Sequence, residues 1–599
     1  MTRRLFSFLA ASFLLPVATA QTPTDQPTVP TLKVSTRLVA VDVVVTDKKG
    51  RPVHNLKPSD FTLLENGQPQ TLSHVDEHTP ETANPSAPLP TLPPGTFTNF
   101  SVAPGSGALN ILLLDSLNTP LADQAFVRQE IVKYLKGPAA GSRMAIFGLA
   151  SQLHLLQGFT SDPEVLRAAV NGKKGALETS AILTGQISKA DEEMTIQNSI
   201  ADAGPGQAAF IQANYNQFVA ERSSYELSLR IRVTLESLNA LARYLSGIPG
   251  RKNLIWFSGA FPLNVLPNGD VKFPFAAAID LADQFRETSD LLARSQVSVY
   301  PIDARGVEGL ADPNDPSFNN TSGLAAGLGG NGAQESLLEQ RTGGQSTMLL
   351  MAENTGGKAY INTNDLKQSV DKAIQAGSNY YTLGYTPADR DWKGEYRKLE
   401  VKLAQQGYTL SYRRGYFADD PDAPSASKSA ATDRPIAIFD PMRAAMLFGG
   451  PNPSEIVFSA SVHPATGTPE NDVAPGNKAE SGVSGPYLRY NVVFKADAKA
   501  ITATPTANGR HINVGFLTFV YNDKGKLIDT AGTRIETDIP EDKYQAMLSD
   551  GIAYQQEISV PVKGDYFLRI GINDHASNRV GSVEIPVATI AHLRPASAP

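Results

Sequence analysis

The sequence predicts a multi-domain protein: a central α/β domain with a doubly wound, mostly parallel sheet, flanked by a small N-terminal β unit and a C-terminal β-sandwich. Three observations predict it. The run Ile111-Leu112-Leu113-Leu114 is apolar without alternation, as in a strand buried on both faces, and it stops at Asp115. Beyond it, apolar runs over 144–149, 254–257 and 297–302 are separated by stretches with helical periodicity, the order that builds a parallel sheet covered on both sides. Before and after this region the chain alternates apolar and polar residues between Gly-containing turns, the pattern of half-buried strands.

Composition narrows the class. At 599 residues the chain exceeds one core, and 41% hydrophobic with 19% charged residues describes a folded globular protein. Its 53 basic and 60 acidic residues leave a formal charge of −7, which argues against nucleic acid or an anionic membrane as partner. Cysteine is absent, which removes disulfides, thiol chemistry, cysteine-ligated zinc and iron–sulfur clusters together. Residues 1–20 read as a secretory signal, with Arg3 and Arg4, an apolar stretch over 5–15 and Ala18-Thr19-Ala20 as the cleavage site. No later stretch reaches the ~18 consecutive apolar residues of a membrane span. The expected location is therefore exported, periplasmic or extracellular.

In chain order, the N-terminal β unit spans 30–78, with Asn66-Gly67 as a hairpin turn. A Pro-rich linker follows over 79–106, and the α/β domain over 107–387. Within that domain a helix is expected at 122–136, with Val127, Ile131, Tyr134 and Leu135 on one face. Strand 144–149 takes 153–159 as hairpin partner, and Ser161 caps a helix running to Val170, with Glu164 reaching back. Residues 172–205 read as an insertion. A long helix then carries Ile231, Leu235, Leu238, Leu241 and Leu245 as its inner stripe, and Gly247-Ile248-Pro249-Gly250 stops it. A β-hairpin extension over 388–418 pairs 396–403 with 408–412, a second linker covers 419–434, and the C-terminal sandwich covers 435–595. Val520-Tyr521-Asn522-Asp523-Lys524-Gly525-Lys526 echoes Val45-Thr46-Asp47-Lys48-Lys49-Gly50-Arg51, so two immunoglobulin-like β units turning on Gly are expected.

A family resemblance rests on pieces spread from about 34 to 417. They include Val43-Val44-Val45-Thr46-Asp47, Asp60-Phe61-Thr62-Leu63-Leu64-Glu65-Asn66-Gly67-Gln68, Leu113-Leu114-Asp115 with Asn118-Thr119, and Ile248-Pro249-Gly250-Arg251-Lys252-Asn253-Leu254-Ile255-Trp256-Phe257-Ser258. Tyr300-Pro301-Ile302-Asp303-Ala304-Arg305-Gly306, Thr355-Gly356-Gly357 and Tyr380-Tyr381-Thr382-Leu383-Gly384-Tyr385 continue it. In this order they resemble the exported VWFA-related proteins found mostly in Acidobacteria, with a Rossmann-like von Willebrand factor A (vWA) domain at their centre. The resemblance implies a Mg²⁺ adhesion site built from D-x-S-x-S, a threonine from a second loop and an aspartate from a later strand. Asp115 and Thr119 match the first and last positions of the motif, while Leu117 replaces its middle serine. Thr234 stands in for the second-loop threonine, and Ser258 occupies the place of the later aspartate. Such a set has lost charge that a hard cation wants. A degenerate site is expected, with no certain cofactor and Mg²⁺ as the candidate ion. Asp115 and Thr119 then serve chiefly to cap their loop.

Other signals are weaker. Gly327-Leu328-Gly329-Gly330-Asn331-Gly332 spells a dinucleotide fingerprint without the strand before it that the chemistry needs. His74 and His78 have helical ligand spacing but lie beside the Pro-rich linker. Trp256, Tyr380, Tyr381 and Tyr385 read as core. No hydrolase elbow or phosphate loop is present. The expected function is non-enzymatic: an exported interaction or adhesion-type protein that binds an unknown protein partner through the top face of the vWA-like domain. The alternatives are an exported hydrolase or carbohydrate-active enzyme using carboxylates such as Asp115 and Asp303, and a structural envelope spacer.

Overall fold

The structure, a computed structural model, describes residues 38–80, 92–100, 108–136, 143–171, 189–259, 264–265, 272–273, 279–306, 331–418 and 440–595. The expected leader at 1–20, the fingerprint-like Gly run at 327–330 and most of both linkers lie outside them. Strands β1 (Val39–Thr46), β2 (Phe61–Glu65), β3 (Gln68–Gln70), β4 (Leu72–His78) and β5 (Thr96–Thr98) open the described chain.

The α/β region follows with β6 (Leu109–Asp115), β7 (Met144–Leu149), β8 (Leu153–Thr160) and β9 (Lys252–Ser258). A two-stranded ribbon, β10 (Asn264–Val265) with β11 (Ile279–Asp280), precedes β12 (Val297–Asp303). The main sheet has the order β12-β9-β6-β7-β8, parallel throughout except for β8, which returns antiparallel along β7. The chain thus starts in the middle of the sheet and winds outwards in both directions. Side chains of β6 alternate between two layers, which explains its unbroken apolar run. Leu109, Ile111 and Leu113 pack with the Ile231–Leu245 stripe of the 42-residue helix Pro205–Ser246 and with Phe285 and Leu292 of helix Ala282–Arg294. Leu112 and Leu114 pack on the other face with Val127 and Ile131 of helix Leu121–Tyr134 and Val370 of helix Leu366–Ser378. Each such buried aliphatic side chain contributes roughly 1.5–3 kcal/mol, so a β6 with polar residues on either face would not hold its place.

Two details differ from expectation. The helix Pro163–Asn171 is capped by Asp162, not Ser161: its Oδ1 accepts from the backbone N–H of Glu164 (2.8 Å). Part of the expected insertion is helical, as Lys189–Ala201, and the 42-residue helix begins at its last residue, Pro205.

The larger difference concerns the flanking strands. β13 (Tyr380–Tyr385), β14 (Tyr396–Leu403), β15 (Thr409–Ser411) and β16 (Gly415–Phe417) share sheets with the first four strands. One four-stranded sheet runs β15-β1-β13-β4 and another β16-β14-β2-β3. Their inner faces meet in a single core containing Val41, Val43, Leu63, Tyr381, Leu383 and Val401. The unit expected at 30–78, the last strand of the expected 107–387 domain and the extension at 388–418 are therefore one β unit, and the α/β region is inserted into it. β14 and β15 are not a hairpin, since β14 pairs with β2 and β16 while β15 pairs with β1.

The C-terminal strands are β17 (Phe458–Pro464), β18 (Tyr487–Ala496), β19 (Thr504–Thr506), β20 (Gly509–Asn522), β21 (Leu527–Ile539), β22 (Ile552–Pro561), β23 (Tyr566–Asp574) and β24 (Arg579–Pro586). They form a sandwich of β22-β18-β17-β5 on β20-β23-β24, with β19 and β21 also on β20. β5 comes from the expected linker at 79–106 and pairs Thr96–Thr98 with Ser459–Ser461 of β17. The two echoing turns have the same wiring. Asp47 accepts through Oδ1 from the N–H of Lys49 and Arg51, as Asn522 does from Lys524 and Lys526, with Gly50 (φ 77°) and Gly525 (φ 75°) in the left-handed region.

Candidate functional site

The C-terminal ends of β6 and β9 meet where the chain leaves the sheet centre in opposite directions, the position at which open α/β sheets place ligand sites. Asp115 ends β6 there, with a side chain only 3% exposed. Its Oδ1 accepts from the backbone N–H of Leu117 (3.1 Å) and Asn118 (2.9 Å). Its Oδ2 accepts from Asn118 Nδ2 (2.9 Å), Trp256 Nε1 (3.2 Å) and the Ser258 hydroxyl (2.7 Å). Burial pushes the Asp115 carboxyl above its ordinary range, and the hydrogen bonds from Asn118, Ser258 and Trp256 oppose that push.

Asn118 links this carboxylate to the long helix. Its Nδ2 also donates to Thr234 Oγ1 (2.8 Å), whose hydroxyl in turn donates to the carbonyl of Arg230 (2.8 Å). Thr119 turns the other way, its Oγ1 accepting from the Gly259 N–H (3.0 Å). At Gly259 an added Cβ would come within 2.3 Å of the Asn118 carbonyl oxygen, so the loops after β6 and β9 approach as closely as they do only with glycine there. Gln124 donates to the carbonyls of Ser116 (3.0 Å) and Thr119 (2.7 Å) and pins the loop from the helix side. Leu117 packs into the core beside Trp256 and Leu235.

Asp115, Thr234 and Ser258 thus come together, and Thr119 stands at the same end of the sheet without joining their hydrogen bonds. A cation seated between Asp115 and Thr234 would have to replace the Asn118 amide that now joins them. No group of three or more His, Cys, Asp or Glu side chains among the described residues is placed to hold a metal. Asn118 and Trp256 were not legible as site residues, although the indole N–H of a buried strand tryptophan needs an acceptor, and an Asn three residues after a strand-ending Asp is placed to supply a donor.

Asp303 ends β12 beside Ser258 and is fully buried. It accepts from Arg305 through the backbone N–H (3.1 Å), Nε (2.9 Å) and Nη2 (2.9 Å), and from Gln345 Nε2 (3.1 Å). Both of its oxygens are engaged with a cation and an amide, so a proton-transfer role would first require Arg305 to leave. His74 and His78 lie on β4. His78 stacks on Tyr380 with ring centroids 4.5 Å apart and bonds the Thr382 hydroxyl at 3.0 Å. No helix among the described residues is long and apolar enough to cross a membrane.

No family model and no curated protein matches the chain. Among solved structures, the chain is similar to an aerotolerance-related membrane protein from Bacteroides fragilis, at 11% identity over 45% of this chain and 98% of that one, with TM-score 0.21. It is also similar to the conserved hypothetical protein BatB from Bacteroides thetaiotaomicron (11% identity, 45% and 97% covered, TM-score 0.19). The pilus adhesin SpaC from Lactobacillus rhamnosus GG is matched at 8% identity over 84% of this chain and 56% of that one, with TM-score 0.24. Scores of this size carry no argument about fold or function.

Proposed function

We propose that the chain is an exported, non-enzymatic interaction protein that binds a protein partner through the top face of its α/β region, the face marked by Asp115. In this reading the region is a vWA-like domain whose adhesion site has kept its place and exchanged its cation for internal hydrogen bonds. The observation that carries the proposal is the saturation of Asp115 by donors from Leu117, Asn118, Trp256 and Ser258. A site that holds its loops with its own side chains keeps the shape of the face without a metal, and a partner then reads the rim. That rim includes the exposed Pro120 and Asn364.

The test is a pull-down from an envelope extract with immobilised wild type and the double variant Pro120→Arg/Asn364→Arg. A protein recovered by the wild type and lost with the variant is expected. Identical recovery by the two sinks the top-face reading. Calorimetric titration with Mn²⁺ addresses the metal separately: the proposal expects no Asp115-dependent heat, and a micromolar signal lost in Asp115→Ala would restore a working cation site.

A further inference from the structure

A second candidate site lies on the C-terminal sandwich, far in sequence from Asp115 and independent of the reading above. The inward side chains of β20, among them Ile512, Val514, Phe516 and Val520, fill the sandwich core. Its outward side chains Leu517 and Phe519 pack instead with Met442 of the short helix Pro441–Ala445, which covers only part of that outer face. The uncovered part is an open cleft of about 630 Å³. That volume falls within the roughly 300–1,000 Å³ typical of small-ligand clefts.

Its floor is shaped by glycine. Gly532 of β21 pairs with Leu517 of β20, and Gly515 of β20 pairs with Asn573 of β23. Neither sits in a left-handed turn. At Gly532 an added Cβ would lie 2.5 Å from Leu517 Cδ2, and at Gly515 2.2 Å from Asn573 Oδ1. Mid-strand glycine costs order and packing, and it recurs where something else must approach the backbone.

The rim is cationic. Lys478 donates its backbone N–H to the Thr530 carbonyl (2.8 Å), while its side chain is exposed and its ammonium forms no hydrogen bond or ion pair among the described residues. Arg534 stands across β21, held by Glu536 (2.8 Å) and Asn513 (2.9 Å). His575 is kept below its ordinary pKa by burial and then by Arg534. The one lining carboxylate, Asp440, is occupied as the helix cap, accepting from the Met442 N–H (2.9 Å). An apolar floor with an uncommitted ammonium at its edge suits a ligand with an apolar body and a carboxylate.

We propose that this cleft binds the free C-terminus of a short apolar peptide, with Lys478 taking the carboxylate and Leu517, Phe519 and Met442 taking the side chains. The geometry leaves the sandwich core untouched, so the site can be changed without breaking the fold. The probes are fluorescein-labelled Gly-Leu-Phe with a free carboxylate and the same peptide as its amide, followed by fluorescence anisotropy against the full chain. A charge-assisted contact of this kind predicts that the amide binds at least about tenfold more weakly, and that Lys478→Met loses a similar factor for the acid while leaving the amide unchanged. Gly532→Val, which fills the floor, should weaken both probes. If its melting temperature falls, Met442→Ala replaces it as the floor variant. Equal binding of acid and amide, or acid binding that survives Lys478→Met, overturns the proposal, as does the absence of acid binding up to millimolar probe.

Discussion

Asp115 joins the loop after β6, the strand β9 and the long helix through a single carboxylate and one asparagine amide. Asp115→Ala removes the acceptor of the Trp256 indole N–H, of one of the two Asn118 amide protons and of two backbone N–H groups in a buried pocket. The expected cost is about 3–5 kcal/mol in chemical denaturation, most of it from donors left without an acceptor. Asp529 on β21 predicts the opposite behaviour. It is fully buried, its Oδ1 accepts from the Thr530 N–H (2.8 Å), and its Oδ2 has no partner among the described residues. Burial raises its pKa to about 6 from 3.8. The folded state therefore holds this proton more tightly than the unfolded chain does. The contribution is full below about pH 4 and is lost as pH rises through 6. Unfolding measured at pH 4.5 and 7.5 should show wild type losing on the order of 2 kcal/mol more than Asp529→Asn over that interval. Residues of this kind mark the limit of reading a sequence. Asp115 was visible because it ends an unbroken apolar run, whereas Trp256 acquires its role only when β9 lies beside β6, and Asn118 its second bond only when the long helix packs against that loop.

At the level of elements, period and turn chemistry carried far. The strands and helices around the parallel sheet were legible because each buries a face of known spacing, and the two Gly turns because their side chain to backbone bonds are local. Strand partnership was not, since the alternating pattern of β1 says which face is buried and nothing about which strand lies beside it. Hence β13 and β14 looked like the end of one domain and a hairpin, while each completes a sheet with strands from the N-terminal stretch. This interleaving predicts the outcome of truncation. A chain lacking residues 38–80 loses β1 and β4 from either side of β13 and β2 from beside β14, exposing Tyr381, Leu383 and Val401. It is expected in the insoluble fraction, and co-expressed residues 38–80 should restore solubility. A soluble, folded truncation would show that the shared core is dispensable.

At the level of the whole molecule, the α/β region and the sandwich are tied by polar contacts around the segment 441–455. Arg243 of the long helix meets both carboxylate oxygens of Glu455 at 2.8 Å and also reaches the carbonyl of Asn578 (3.1 Å). Gln152 donates to the Phe448 carbonyl (2.8 Å), and the Leu155 N–H to that of Gly449 (3.1 Å). Arg569 holds the same segment from the sandwich side through the carbonyls of Ala445 (2.8 Å) and Gly450 (3.1 Å). A double-mutant cycle with Arg243→Ala and Glu455→Ala should give a coupling of about 1–2 kcal/mol in thermal or denaturant unfolding, since the pair is largely shielded from water. A value near zero would make the two regions energetically separate.

The pairing of β4 with β13 also governs how the molecule carries tension. His78 and Tyr380 lie opposite one another in that ladder with their rings stacked, so the chain departs for residues 79–379 and returns at the same clasp. A pull applied at residue 38 first loads β1, which must slide lengthwise against β13 and β15 before it can yield. The Asp115 loops belong to the stretch of chain that leaves and returns at this clasp. They keep their shape while the strands that bear the force remain zipped.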